Sequence, residues 1–268
     1  MTGTATPPVV LVIAGNDPSG GAGLAADIQA ITALAAHPAP VVTAITVQDT
    51  RNVYRVQPVA AGLVAEQART VLADLPVRAI KIGVLPTAEL CVAVADLLAE
   101  HDELPVVIDP VLIAAGGGRL ADAGVIAPMI ARLVPHATVL TPNASELRSL
   151  VPDAASDAQR AAALVEAGAE YVLAKGADES TEEVHNVLFD SEGEVEHFTW
   201  SRLPHVYHGS GCTLASAIAA LLAHGKTPRA AVEGAQRYTF EALRRGFRPG
   251  AGQHIPYRFF HLPETHKL

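Results

Sequence analysis

Val9-Val-Leu-Val-Ile-Ala14, then Gly15-Asn-Asp-Pro-Ser-Gly-Gly-Ala-Gly23, then Leu24-Ala-Ala-Asp27 stand near the start of the chain. The apolar run reads as a strand buried on both faces, the glycine-rich stretch as a loop, and residues 22–36 carry apolar positions at helical spacing. The unit recurs. Val41–Val47, Ala79–Ile82, Pro105–Ile108, Thr138–Leu140 and Tyr171–Ala174 read as further strands, and helical patterns occupy 62–74, 87–100, 122–133, 144–150 and 156–168. This alternation predicts an α/β fold with a mostly parallel central sheet covered by helices on both faces. Residues 184–200 break the rhythm: Val184–Phe189 and Val195–Trp200 flank Ser191-Glu-Gly-Glu194 and predict a short hairpin at a sheet edge. Helices near 211–223 and 227–245 and an irregular tail over 246–268 complete the chain. With no repeat, linker or low-complexity tract, the expectation is one domain over 1–268, its core about 9–245.

Half of the 268 residues are hydrophobic, enough for a substantial core. A net charge of −9 argues against a general nucleic-acid or membrane-surface binder, so a polyanionic ligand must be held by local dipoles, a few lysines or a metal ion. Cys91 and Cys212 lie far apart in unlike contexts, which is no disulfide framework and suits a reducing cytoplasm. Met1 to Pro8 lacks the basic region and apolar core of a signal peptide, and no apolar run reaches membrane-spanning length. A soluble, cytoplasmic protein is expected.

In open parallel sheets, ligands collect at the carboxyl ends of the strands, where most unusual polar clusters of this chain fall. His208-Gly-Ser-Gly-Cys-Thr213 opens the apolar helix Leu214–Leu222, and the unsatisfied amides and dipole of such a helix start favour an oxyanion or phosphoryl group. Glycines 209 and 211 allow close approach, and Cys212 in the same field is expected to have a lowered pKa. The plain alternative is a glycine-rich turn before a buried helix. Gly21-x-Gly23-x-x-Ala26 formally matches a dinucleotide fingerprint, but it stands too far from its strand; no lysine-hydroxyl pair completes a Walker A loop either. The 15–23 loop can instead wrap a small ligand and aim Asp27 inward, or leave Asp27 on a solvated helix face.

Gln48 ends the second strand and can offer a paired donor and acceptor to an amino-heterocycle. Asp109 before Pro110 can hold a metal through water, or simply make a turn. Asn143 and Glu146 have the spacing of a helix cap, and equally of a pair that orders Mg²⁺ beside phosphates. Lys175 before Gly176 can neutralise a transferred phosphoryl group or solvate a turn. Together these groups match what phosphoryl transfer needs: metal, charge neutralisation and an anion hole.

Ala14-Gly-Asn-Asp-Pro-Ser-Gly-Gly-Ala-Gly-Leu-Ala-Ala-Asp27, Lys81-Ile-Gly-Val-Leu85, Val107-Ile-Asp-Pro-Val111, Thr141-Pro-Asn-Ala-Ser-Glu146 and His208-Gly-Ser-Gly-Cys-Thr213 resemble the hydroxymethylpyrimidine/phosphomethylpyrimidine kinases of thiamine biosynthesis, within the ribokinase-like superfamily. The resemblance implies a three-layer αβα sandwich, and ATP- and Mg²⁺-dependent phosphorylation of an aminopyrimidine alcohol and then of its monophosphate. It places the pyrimidine near Gly15, Asp27, Gln48 and Val84. Asp109, Asn143, Glu146, Lys175 and Thr213 fall near phosphates and metal, with Asp109 and Glu146 as metal-side carboxylates. Gly209, Ser210, Gly211 and Cys212 form the anion hole, with Cys212 as base and Lys175 on the phosphoryl group. It also implies a tendency to pair as a homodimer. Val84 stands where methionine is common, Ala25 where a longer polar residue is usual, and Asp49 where asparagine is usual, so the wall over the ring is altered. A pyridoxal or pyridoxine kinase on the same scaffold, a non-catalytic pyrimidine sensor and a thiol hydrolase built on Cys212 with His205 or His208 are the competing readings. Backbone freedom at Gly116-Gly-Gly118 suggests a lid.

Overall fold

The computed structural model describes residues 6–113 and 117–261. Nine strands form one sheet: β1 (Val9–Asn16), β2 (His37–Gln48), β3 (Val53–Pro58), β4 (Val77–Ile82), β5 (Val106–Ile108), β6 (Val139–Leu140), β7 (Tyr171–Ala174), β8 (Glu183–Asp190) and β9 (Gly193–Ser201). Their spatial order is β3-β2-β1-β4-β5-β6-β7-β8-β9. From β2 to β7 every neighbouring pair is parallel, whereas β3 at one edge and β8–β9 at the other are antiparallel.

Each face of β1 supplies a different core. Leu11 and Ile13 pack with α2 (Ala61–Asp74), α3 (Ala88–Ala99), α5 (Ala144–Leu150) and α6 (Asp157–Glu166). Val10, Val12 and Ala14 face α1 (Gly23–Ala33), α7 (Ser210–Ala223) and α8 (Pro228–Arg244). The two-residue alternation of a strand therefore sorts one apolar run into both layers of the sandwich. The small side chains Ala215, Ala217, Ala219 and Ala220 let α7 lie between the sheet and its neighbouring helices, with almost every position buried.

The sequence expectations meet this architecture closely, with three differences. Val53–Pro58 forms an edge strand that went unread because its exposed Tyr54, Arg55 and Gln57 break the continuous apolarity of the inner strands. The helix expected over 122–133 is broken into a 3₁₀ turn (Ala123–Val125), a short α4 (Ile126–Pro128), a π turn (Met129–Leu133) and a second 3₁₀ turn. Pro128 lacks the amide a regular helix needs there, and the π turn follows at once. The irregular tail folds back on the domain, with bridges from Tyr207 to His254 and from Phe247 to Ile255. Gly116 lies outside the described residues and with it the lid expectation; its neighbour Gly118 packs against Asn52 and Val53. No described helix is long and apolar enough to cross a membrane.

One polar pin crosses the α1–α7 layer. Lys81 on β4 and Asp27 on α1 are both fully buried, and Lys81 Nζ donates to the two carboxylate oxygens at 2.9 Å each. Ser216 Oγ on α7 donates to the same carboxylate at 2.7 Å. Burial opposes charge on Lys81, but the Asp27 carboxylate and other nearby anionic groups outweigh it and hold its pKa above the ordinary value. Removing one partner leaves an uncompensated buried charge. Lys81→Met is expected to cost about 3–5 kcal/mol, with most of it regained in Lys81→Met/Asp27→Asn. Urea titrations of both variants read this, and a double variant no more stable than the single one contradicts it.

Candidate active site

The carboxyl ends of the parallel strands form one crest beneath a cavity of about 600 Å³. Asn16 ends β1 and Asp17 follows it, Gln48 ends β2, Gly83 and Val84 follow β4, Asp109 follows β5, Asn143 follows β6 and Lys175 follows β7; all line the cavity. The chain leaves β1 toward β2 on one side and β4 on the other, and a crevice opens at such a reversal of strand order.

The 15–23 loop and the start of α7 are built against one another. Gly209 caps α7 in the left-handed region (φ 80°), and a Cβ there would run into the carbonyl oxygen of Gly21. A Cβ on Gly21 would strike the His208 ring in turn. Asp17 accepts from the amides of Ser19 and Ala22 at 2.8 Å each, from Ser19 Oγ at 2.9 Å, and pairs with His208 Nε2 at 2.8 Å. Burial works against its carboxylate, but the bonds from His208, Ser19 and Ala22 outweigh it, so its pKa lies below the ordinary value. Beyond this latch, the amides of Ser210, Gly211 and Cys212 occupy the first turn of α7, where helical geometry supplies no acceptor, and all three residues line the cavity.

Opposite these amides stand the charged groups. Lys175 Nζ donates to Asp109 Oδ1 at 3.0 Å, and Thr141 Oγ1 donates to the same oxygen at 3.1 Å. A Cβ on Gly211 would lie 3.3 Å from both Lys175 Nζ and Asp109 Oδ2, so glycine keeps the helix start open to this pair. Burial opposes the Lys175 ammonium, and Asp109 and Glu146 outweigh it, raising its pKa. Asn143 and Glu146 form a full capping box on α5: Asn143 Oδ1 accepts from the Glu146 amide and Glu146 Oε2 from the Asn143 amide, both at 2.8 Å. The cap does not exhaust Glu146, whose carboxyl also lines the cavity beside Lys175. Burial pushes its pKa up to about 7 despite the lysine.

Gln48 and Val84 line one end of the cavity with Gly15. Gln48 Nε2 donates to Thr46 Oγ1 at 2.8 Å, which leaves its Oε1 and second N–H for a ligand. A Cβ on Gly15 would meet Val84 Cγ1 at 2.7 Å, so these two residues form one continuous wall. At the other end lie Trp200 and Phe240, with ring centroids 5.1 Å apart, and Leu243. Gln236 Oε1 accepts from Asn186 at 2.7 Å and from Trp200 at 3.2 Å. Gln236 Nε2 and Thr239 Oγ1 are buried without a hydrogen-bond partner among the described residues, and both residues line the cavity.

Three sequence expectations need correction. Asp27 does not line the cavity: Lys81 and Ser216 hold its carboxylate, and it is Lys81 that reaches the cavity surface. Thr213 does not face a phosphate either, because its amide and Oγ1 both donate to Gly209 O and its oxygen accepts from Arg258. Cys212 does line the cavity, but burial pushes its thiol up to about 11; Lys81 and a bond from the Gly23 amide only partly offset this. It is not a standing thiolate. His208, committed to Asp17, joins loops rather than serving a thiol hydrolase. Asp17, Lys81, Arg258 and the Trp200–Phe240 end went unread, since their roles depend on partners far along the chain; only the polar Asn16-Asp17 step inside the glycine-rich loop gave a local hint.

A family model described as phosphomethylpyrimidine kinase matches residues 17–258. The hydroxymethylpyrimidine/phosphomethylpyrimidine kinase of Streptomyces coelicolor is 41% identical over 255 residues, which is 92% of this chain and 93% of that protein. Among solved structures, the Staphylococcus aureus pyridoxal kinase in complex with AMP-PCP and pyridoxal superposes with a TM-score of 0.85 at 28% identity, covering 97% of each chain. The phosphomethylpyrimidine kinase from Clostridium difficile 630 gives 0.76 at 30% identity, covering 88% of this chain and 99% of that one. The three-layer sandwich with its parallel sheet and edge hairpin is the ribokinase-like fold of these kinases, and this chain belongs to the phosphomethylpyrimidine kinase family.

Proposed function

We propose that the protein is an ATP-dependent kinase that phosphorylates 4-amino-5-hydroxymethyl-2-methylpyrimidine and then its monophosphate, for thiamine biosynthesis. The observation that carries this reading is the meeting of the α7 amides with Lys175 and Asp109 across Gly211, inside the cavity that also holds Gln48 and Val84. Such an arrangement suits a phosphoryl group passing between two bound molecules, where positioning and charge stabilisation dominate. Because the cavity is lined by strand ends across one sheet together with the helices packed on it, the chain reads as a single kinase domain.

Gln48 can accept from the exocyclic amine and donate to the adjacent ring nitrogen, while Val84 and Gly15 wall the ring. Trp200, Phe240 and Leu243 offer apolar cover for the nucleotide base, and the free Gln236 Nε2 and Thr239 Oγ1 offer donors to its ring nitrogens. Among the described residues no group of three or more His, Cys, Asp or Glu forms a metal cage. Mg²⁺ shared with nucleotide phosphates needs only one or two carboxylates, which Asp109 and Glu146 supply. Bound there, it neutralises charge on the phosphate oxygens. Lys175 and the amides of Ser210 to Cys212 hold the transferring group from the other side. Cys212 borders the accepting oxygen, and its thiolate form, after the thiol proton has passed to solvent, can take the hydroxyl proton late, since a loose transition state asks little of a base.

Coupled assays with the pyrimidine alcohol, its monophosphate and pyridoxal as separate acceptors test the assignment. Turnover of both pyrimidines is expected. Likeness to solved pyridoxal kinases supports pyridoxal as the second reading, and turnover with pyridoxal alone establishes it instead. Cys212→Ala is expected to lower kcat on the alcohol about 10²-fold, with a far smaller loss on the monophosphate, which has no poorly acidic proton to lose. Equal losses on both acceptors remove the base role.

Glu146→Gln keeps the cap acceptor and is expected to raise the Mg²⁺ concentration for half-maximal rate about tenfold, with Tm little changed. Its pH signature follows from linkage. The folded pKa of about 7 exceeds the ordinary 4.5, so the folded chain binds this proton more tightly than the unfolded one. The resulting stabilisation is present below the ordinary value and is lost as pH rises through about 7. Thermal melts should therefore show the variant gaining on the parent over that window. A large fall in Tm at every pH leaves Glu146 as a cap only.

The reading extends to a homodimer in a reducing, cytoplasmic setting. Ile45, Val47 and Tyr54 on the β2–β3 edge are 56%, 46% and 63% exposed, an apolar surface that a second copy can cover. Light scattering should give about twice the 27.9 kDa chain mass, and a monomer at all concentrations refutes the pairing.

A further inference from the structure

The tail residue Arg258 is the largest fully buried side chain among the described residues, only 1% exposed. Tyr238 Oη donates to its carbonyl at 2.8 Å and anchors its backbone beneath the site. Its three guanidinium nitrogens each have a different partner. Nε donates to Thr213 Oγ1 at 2.9 Å, Nη1 to Gln29 Oε1 on α1 at 3.0 Å, and Nη2 to Gly21 O at 2.5 Å. None of these acceptors is a carboxylate, so among the described residues every hydrogen bond of the cation ends on a neutral oxygen, while Asp27 and Asp17 act on it only through space.

Two of the three bonds end at the contact that shapes the anion hole. Thr213 Oγ1 relays its own proton to Gly209 O at 2.7 Å, which sets the orientation of the left-handed peptide from which the Ser210–Cys212 amides project. Gly21 O is the atom packed against the Gly209 α-carbon. Arg258 therefore grips both sides of that contact while placing a buried positive charge behind it. Lysine cannot do the same, because a single ammonium lacks the planar fork that reaches three acceptors in fixed directions.

We propose that Arg258 is a positioning residue for phosphoryl transfer, which clamps the 15–23 loop to the start of α7 and adds positive potential to the anion hole from beneath. This rests on the kinase reading, so the first test reads the potential without any turnover. Cys212 borders the anion hole whereas Cys91 is fully buried, and the rate ratio of alkylation by anionic iodoacetate over neutral iodoacetamide at Cys212 reports the local field. In Arg258→Ala the ratio is expected to fall about fivefold and to recover with millimolar guanidinium but not methylammonium. An unchanged ratio overturns the charge role, whether or not the chain proves to be a kinase.

The second test is kinetic. Arg258→Ala should lose about 10²-fold in kcat with acceptor KM within about threefold, because Gln48 and Val84 are untouched; guanidinium should restore part of kcat and Arg258→Lys should not. Thr213→Val breaks the relay to Gly209 while keeping side-chain volume, and serves if Arg258→Ala does not fold. Parental kcat in Thr213→Val, or an Arg258→Ala loss that guanidinium leaves untouched, overturns the clamp.

Discussion

The backbone of Gly209 lies so close to the carbonyl of Gly21 that no side chain fits between them, and the whole site is arranged around that contact. It brings a loop from the amino-terminal end of the chain against a helix start nearly two hundred positions later. Two polar ties hold it. Asp17 and His208 join the two segments on the cavity side, and Arg258 binds Gly21 O and the Thr213 hydroxyl from beneath. Glycine is required at 209 for two separate reasons, its positive φ and the approaching carbonyl.

Around this contact the charges are paired before any ligand arrives. Lys81 is neutralised by Asp27, and Lys175 by Asp109 with Glu146 nearby. The α7 amides face the cavity as positive ends without helical acceptors, which makes the start of the helix an anion-seeking element. The elevated pKa of Glu146 follows first from burial, to which the neighbouring carboxylates of Asp109 and Asp178 add. The high pKa of the Cys212 thiol has a parallel origin, since the walls that shelter a phosphoryl group from water also deny solvation to a thiolate.

The cavity spans most of the sheet. Gln48 and Val84 mark one end, Trp200 and Phe240 the other, and the two ends lie near opposite edges of one sheet. Likeness to kinases named for pyrimidines and to kinases named for pyridoxal is understandable on this plan. The fold is common to both, and in this chain Val84 closes on Gly15 at one end of the cavity.

The alternation of buried runs and helical patterns was enough to determine the parallel sheet, the edge hairpin and the crest of Gln48, Asp109, Asn143 and Lys175, because strand burial and the alternation of strand with helix are written in local apolar periodicity, whereas the spatial order of the strands is not. The glycine-rich entry to α7 was equally legible, since an N-terminal helix turn has the same dipole wherever it lies. Tertiary structure alone decided which polar side chains reach the cavity. Asp27 was drawn away by Lys81 and Ser216, Thr213 turned toward the tail, and Asp17, Arg258 and Gln236 acquired their roles from partners remote in sequence. The physical reason is that burial and hydrogen-bond partnership are properties of packed neighbours, and the cost of burying an unpaired polar group is met by whichever partner the fold brings within about 3 Å.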